Sequence, residues 1–164
     1  MPASQRENLP LYIALLCFLG IAAILVFDGY LGIYETIEVT TAEGQQISLP
    51  PVSPGLRQSI SELEPGYTVW SRHGDRVRFQ YRLHNRRFAT YSAPLEVTLW
   101  KGEEQIKQLL SREGVAKPFG QIDLRWTLDT GELEAPQDNT FPQYTVRISR
   151  EGVKHRITVI LRKS

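Results

Sequence analysis

The sequence predicts an all-β fold, an antiparallel two-sheet β-sandwich of 7–8 strands preceded by one N-terminal transmembrane helix. Three observations carry that prediction. The nineteen residues from Leu9 to Phe27 (LPLYIALLCFLGIAAILVF) hold no charge. After them, apolar and polar residues alternate with a period of two, the spacing of strands with one buried and one wet face. Turn chemistry between the alternating runs supplies the third.

A helix needs roughly 20 apolar residues at ~1.5 Å rise to cross a hydrocarbon core. The uncharged run meets that length when extended past Asp28 towards Gly32. A lone span must be helical, because lipid offers its backbone no partners. Pro10 falls in the first turn, where a missing N–H costs nothing. Tyr12 at one end, and Tyr30 and Tyr34 at the other, suit the interfaces. A cleaved signal fits less well: Gly20-Ile21-Ala22 offers small residues, but Ala23 to Phe27 continue the apolar run. Arg6 lies on the amino side, and no Lys or Arg follows the run until Arg57. The positive-inside rule then gives a single-pass cell-membrane protein, N-terminus cytoplasmic and C-terminal domain extracytoplasmic. The expected division is a tail over 1–8, a span over 9–32 and a β-sandwich domain over 33–164.

Strands are expected around Ile37–Val39, Val77–Leu83, Leu95–Leu99, Gln105–Leu110, Ile122–Leu128, Tyr144–Ile148 and Val153–Leu161. Gly74-Asp75, Lys101-Gly102-Glu103 and Arg150-Glu151-Gly152 mark turns. Leu49 to Pro65 holds four prolines and cannot be a central strand; it reads as a long connection with one helical turn near Leu56 to Leu63. The lone Cys17 lies in the uncharged run, so the domain has no internal disulfide.

Tyr144 opens a strand after a loop and is followed by Thr145-Val146-Arg147-Ile148 and a tight hairpin. This resembles the penultimate strand of immunoglobulin-like domains, where a tyrosine closes the corner. Lacking the antibody-type cysteine pair, the domain more closely resembles a fibronectin-like or other bacterial immunoglobulin-like sandwich. The whole chain resembles single-span envelope proteins of bacteria and archaea that carry one such domain, a likeness that brings no activity with it.

The segment Arg72 to Phe88 holds six Arg and two His, whereas residues 28–66 are acidic. Arg76, Arg78 and Arg82 share one strand face by parity, and Arg147 faces outward on a later strand. These four, with Trp100, form the candidate surface for an anion or a partner. The alternative is a solvated face whose arginines pair with Glu96, Asp123 and the acidic segment. His73, His84 and His155 are dispersed without metal-ligand spacing, so no metal is expected. His155 falls on the apolar parity of its strand and reads as a hydrogen-bonded, semi-buried histidine. No nucleophile elbow, phosphate loop or dinucleotide fingerprint occurs, so neither enzyme activity nor cofactor is expected. The expected partners are the bilayer through Leu9–Phe27, a protein of the membrane or envelope, and an anionic polymer, with no nucleic acid. The functional expectation is a non-enzymatic interaction module. The alternative is a structural accessory subunit of a multi-span complex such as a protease, transporter or respiratory assembly.

Overall fold

The structure, a computed structural model, describes residues 9–26, 32–52, 66–137, 140–151 and 153–163. The chain runs α1 (Leu9–Val26), β1 (Ile33–Thr40), β2 (Gln46–Val52), β3 (Tyr67–Arg72), β4 (Arg76–Asn85), β5 (Tyr91–Lys101), β6 (Glu104–Ala116), β7 (Gln121–Asp129), a 3₁₀ turn (Thr130–Glu132), β8 (Gln143–Arg150) and β9 (Val153–Arg162).

Two sheets form, of order β2-β1-β4-β7 and β3-β9-β8-β5-β6. Every pairing is antiparallel except β3 with β9. The period-two alternation does what it predicts. Ile37, Val39, Phe79, Tyr81 and Leu83 point inward from the first sheet, and Leu95, Leu99, Val146, Ile148, Ile157 and Val159 from the second. Side chains of this kind leaving water supply the main force holding the sheets together.

The strand number corrects the expectation: nine among the described residues, not seven or eight. The additional strands are β2 and β3. Pro50 and Pro51 lie in β2, which is tolerable because β2 is the edge of its sheet. Its register with β1 shifts between Glu35 and Ile37, so the prolines sit at an irregularity rather than in a regular ladder. In β3 the inward positions are Val69 and Ser71. A buried serine breaks the apolar alternation that marks a strand in sequence. The helical turn expected near Leu56 to Leu63 lies outside the described residues.

Helix α1 is apolar all round, and its side chains from Pro10 to Leu25 are exposed apart from the half-exposed Ala22. It spans 18 residues, roughly 27 Å at the usual rise against a ~30 Å hydrocarbon core. Among the described residues no helix is long and apolar enough to cross a membrane. The uncharged sequence continues to Phe27, outside the described residues.

Candidate functional site

The first sheet's outer face carries Arg76, Arg78 and Arg82 on alternate positions of β4. Arg82 Nη1 donates to Glu38 Oε1 on β1 at 2.9 Å, and Arg76 Nε to Asp129 Oδ2 at 3.5 Å. Asp123 is held by Arg125 Nη2 at 2.9 Å and by Gln80 Nε2 at 3.0 Å. These donors depress its carboxyl, Arg125 contributing most. Arg78 is exposed and has no carboxylate partner among the described residues. A shallow groove of about 380 Å³ runs beside it, lined by Glu38, Arg78, Gln80, Arg125 and Trp126. Trp126, on the inward parity of the edge strand β7, is half-buried and stacks on Phe79 with ring centroids 5.4 Å apart.

Trp100 and Arg147 belong to the other sheet. The Arg147 guanidinium lies over the Trp100 ring, 3.9 Å from its centroid, and reaches Glu103 at 3.9 Å. The indole N–H donates to Thr98 Oγ1 at 2.8 Å. The five candidate residues therefore divide. Arg76, Arg78 and Arg82 stand together on one outer face, while Arg147 and Trp100 cover strands β5 and β8 on the opposite one.

A polar cluster that sequence reading did not assemble lies inside the sandwich. Glu35 shares its inward parity on β1 with Ile33, Ile37 and Val39 and is buried. Its Oε1 accepts from Arg150 Nε at 2.5 Å, and its Oε2 accepts from His155 Nε2. Arg150 Nη1 also donates to the Tyr91 hydroxyl, which donates to Glu151 Oε2 at 2.9 Å. Tyr81 packs edge-on against His155, its hydroxyl near the carboxylate but without hydrogen-bond geometry. Burial alone would raise the Glu35 carboxyl, but His155 and Arg150 hold it below its ordinary value. Burial and the Glu35 charge push the Tyr81 hydroxyl up. Burial, with Glu151 beside it and Arg150 opposing, pushes Tyr91 up to about 12. The cluster ties the sheets together, since Glu35 belongs to one and Arg150, His155 and Tyr91 to the other. Desolvation offsets much of the attraction in a buried ion pair of this kind, so its net contribution to stability is small.

No family model matches the chain, and no curated protein sequence matches it. Among solved structures it is similar to a β-glucosidase from Erythrobacter marinus at 7% identity and TM-score 0.43, over 58% of this chain and 14% of that one. It is similar to a β-glucosidase from Listeria innocua in complex with glucose at 12% identity and TM-score 0.41, over 78% of this chain and 16% of that one. An alkylpurine DNA glycosylase from Pseudomonas fluorescens bound to DNA is similar at 11% identity and TM-score 0.40, over 58% and 27%. The chain spans less than a third of the length of each.

Two buried residues of the second sheet, near opposite ends of β8, show how sequence signals differ in kind. Tyr144 is buried and its hydroxyl accepts from the backbone N–H of Glu134 at 3.1 Å, closing the loop before β8. His155 is hydrogen-bonded on the inward parity, as expected, and is fully rather than partly buried. Its partner Glu35 carried the same parity signal, but beside the uncharged run its charge reads as part of an acidic flank.

Proposed function

We propose that this chain is a membrane-anchored, extracytoplasmic β-sandwich of immunoglobulin-like type, acting as a non-enzymatic interaction module for proteins or anionic surface polymers. The observation that carries the reading is α1, an uncharged helix with apolar side chains turned outward along its length. Such a surface is unfavourable in water and favourable in lipid. A span slightly shorter than the bilayer is accommodated by local thinning, and the uncharged run continues beyond the helix to Phe27.

Sheet order supports the immunoglobulin-like type. Pairing of β1, β4 and β7 in one sheet, and of β9, β8, β5 and β6 in the other, follows the A-B-E and G-F-C-C′ orders of that architecture. The Tyr144 hydrogen bond stands where its tyrosine corner does. Two surfaces suit an interaction role. Strand β6 is a 13-residue sheet edge with Ile106 and Val115 exposed, a template for an extended partner segment. The β4 face presents Arg78 to solvent between paired neighbours, a site for an anionic polymer.

Protease treatment of intact cells, with a lysed control, tests the placement. Digestion of the C-terminal domain without lysis is the expected result; protection until lysis overturns the orientation. Purification in mild detergent tests the role. A stoichiometric set of multi-span proteins points instead to a structural subunit of a membrane complex.

A further inference from the structure

One end of the sandwich gathers the β4–β5 loop, the β6–β7 loop and the start of β1. The buried side chain of Asn85 organises it. Its Nδ2 reaches the carbonyls of Ala89 at 2.9 Å, Ala116 at 3.1 Å and Lys117 at 3.0 Å. Its Oδ1 accepts from Arg87 N at 3.0 Å, and its backbone N–H donates to Gly120 O at 2.9 Å. The two loops are thus fixed to each other, and what they present is unusual. Phe88 and Phe119 stack edge to face, centroids 5.0 Å apart, yet they are 64% and 62% exposed. Phe119 has φ +56°, a left-handed conformation that a bulky side chain rarely adopts. The turn from Lys117 to Gly120 holds it there, with Gly120 N donating to Lys117 O at 2.9 Å. A strained backbone that turns a phenylalanine into water gains nothing from packing in the sandwich. Arg86 and Lys117 flank the pair, and both are exposed with no carboxylate partner among the described residues.

The chain from α1 arrives at this end. Arg86 N donates to Gly32 O at 2.6 Å, so the Phe88 loop is bonded to the residue just before β1. Six residue steps separate Gly32 from Val26, a reach of at most about 22 Å at ~3.3–3.6 Å per residue. The opposite end, with the β5–β6 turn at Gly102-Glu103, lies a full strand length farther away.

We propose that this tip docks on the anionic surface of the bilayer that holds α1. The Phe88 and Phe119 rings enter the headgroup region, and Arg86 and Lys117 pair with lipid phosphates. The proposal rests on the anchor reading. Aromatic rings with adjacent cations match an anionic lipid interface in both of its components, and the tether keeps the tip beside it. The sandwich would then be held upright, with the start of the first strand at the membrane and the far turns directed away.

The test uses the full chain with Cys17→Ala, reconstituted into vesicles of equal phosphatidylcholine and phosphatidylglycerol that contain acyl-brominated lipid. An environment-sensitive dye is placed at Ala89→Cys, which leaves both rings in place, or at Glu103→Cys on the far turn. The expected result is several-fold stronger quenching at 89 than at 103. It should weaken in phosphatidylcholine alone and in an Arg86→Glu/Lys117→Glu variant, whose unchanged melting curve shows that it folds. Alkaline carbonate extraction is run on the same vesicles. Equal quenching at the two positions in a chain that resists extraction overturns the tip proposal and leaves the anchor standing. A chain that extraction releases overturns the anchor, and the tip proposal with it.

Discussion

Arg150 Nε donates to Glu35 Oε1 at 2.5 Å across the interface of the two sheets, in a position where both side chains are buried. Removing one partner strands the other's charge in the core. Glu35→Leu and Arg150→Met should each lower stability by about 3–5 kcal/mol. The double replacement Glu35→Leu/Arg150→Met should cost much less than the sum of the single changes, because no charge is left buried. Urea unfolding of the four proteins measures this. Additive losses would show that the two residues act independently.

Acidification should weaken the fold in two windows. The Glu35 carboxyl lies below its unfolded value of 4.5 in the fold. Its contribution is therefore complete above that value and is lost as pH falls through the folded one. His84 is also lowered, from 6.5, by burial first and then by Arg82 and Arg86, so stability begins to fall as pH drops below that unfolded value. Unfolding midpoints across an acid series should decline in both ranges. Glu35→Gln should flatten the lower one while being less stable at neutral pH. An unchanged lower window in that variant would remove Glu35 from the account.

Asn85→Ala should cost about 1–3 kcal/mol, since the buried Ala116 carbonyl and the part-buried groups of Arg87, Ala89 and Lys117 lose the Asn85 side chain as a partner. Hydrogen exchange should rise in both loops, 86–90 and 117–120, and not at the far turns. A change confined to one loop would mean that Asn85 does not join them.

Gly114 is buried on β6, and a Cβ there would stand 2.5 Å from Leu95 Cδ1 and 2.9 Å from Ile122 Cδ1. Gly114→Ala should therefore destabilise by about 1–3 kcal/mol through overpacking. Pairing the change with Leu95→Val should recover part of the loss. Thermal melts of the single and double variants decide it.

Legibility in the sequence followed the strength of local signals. Strand β4 and strand β9 alternate cleanly, and their inward and outward residues are readable by parity alone. Strand β2 hid behind Pro50 and Pro51, which exclude a central strand but not an edge. Strand β3 hid because Ser71 occupies a core position. The arginine face was legible as a set on β4, but not its separation from Arg147 and Trp100, since sheet membership is a long-range property. Arg150 shares the inward parity of Tyr144, Val146 and Ile148, yet beside Glu151-Gly152 it reads as a turn residue. The buried cluster needed β1 to be placed opposite β8 and β9, which no local pattern specifies.

The most direct measurement is the distribution of the chain between pellet and supernatant after alkaline carbonate extraction, compared with a Leu16→Arg/Ile21→Arg variant. Both positions lie mid-helix in α1, where a charge at the bilayer centre costs about 2.5–3.5 kcal/mol on insertion scales. The anchor account predicts the parent chain in the pellet and a large shift of the variant to the supernatant. The parent chain in the supernatant, or a variant that stays in the pellet with its sandwich folded, would contradict it.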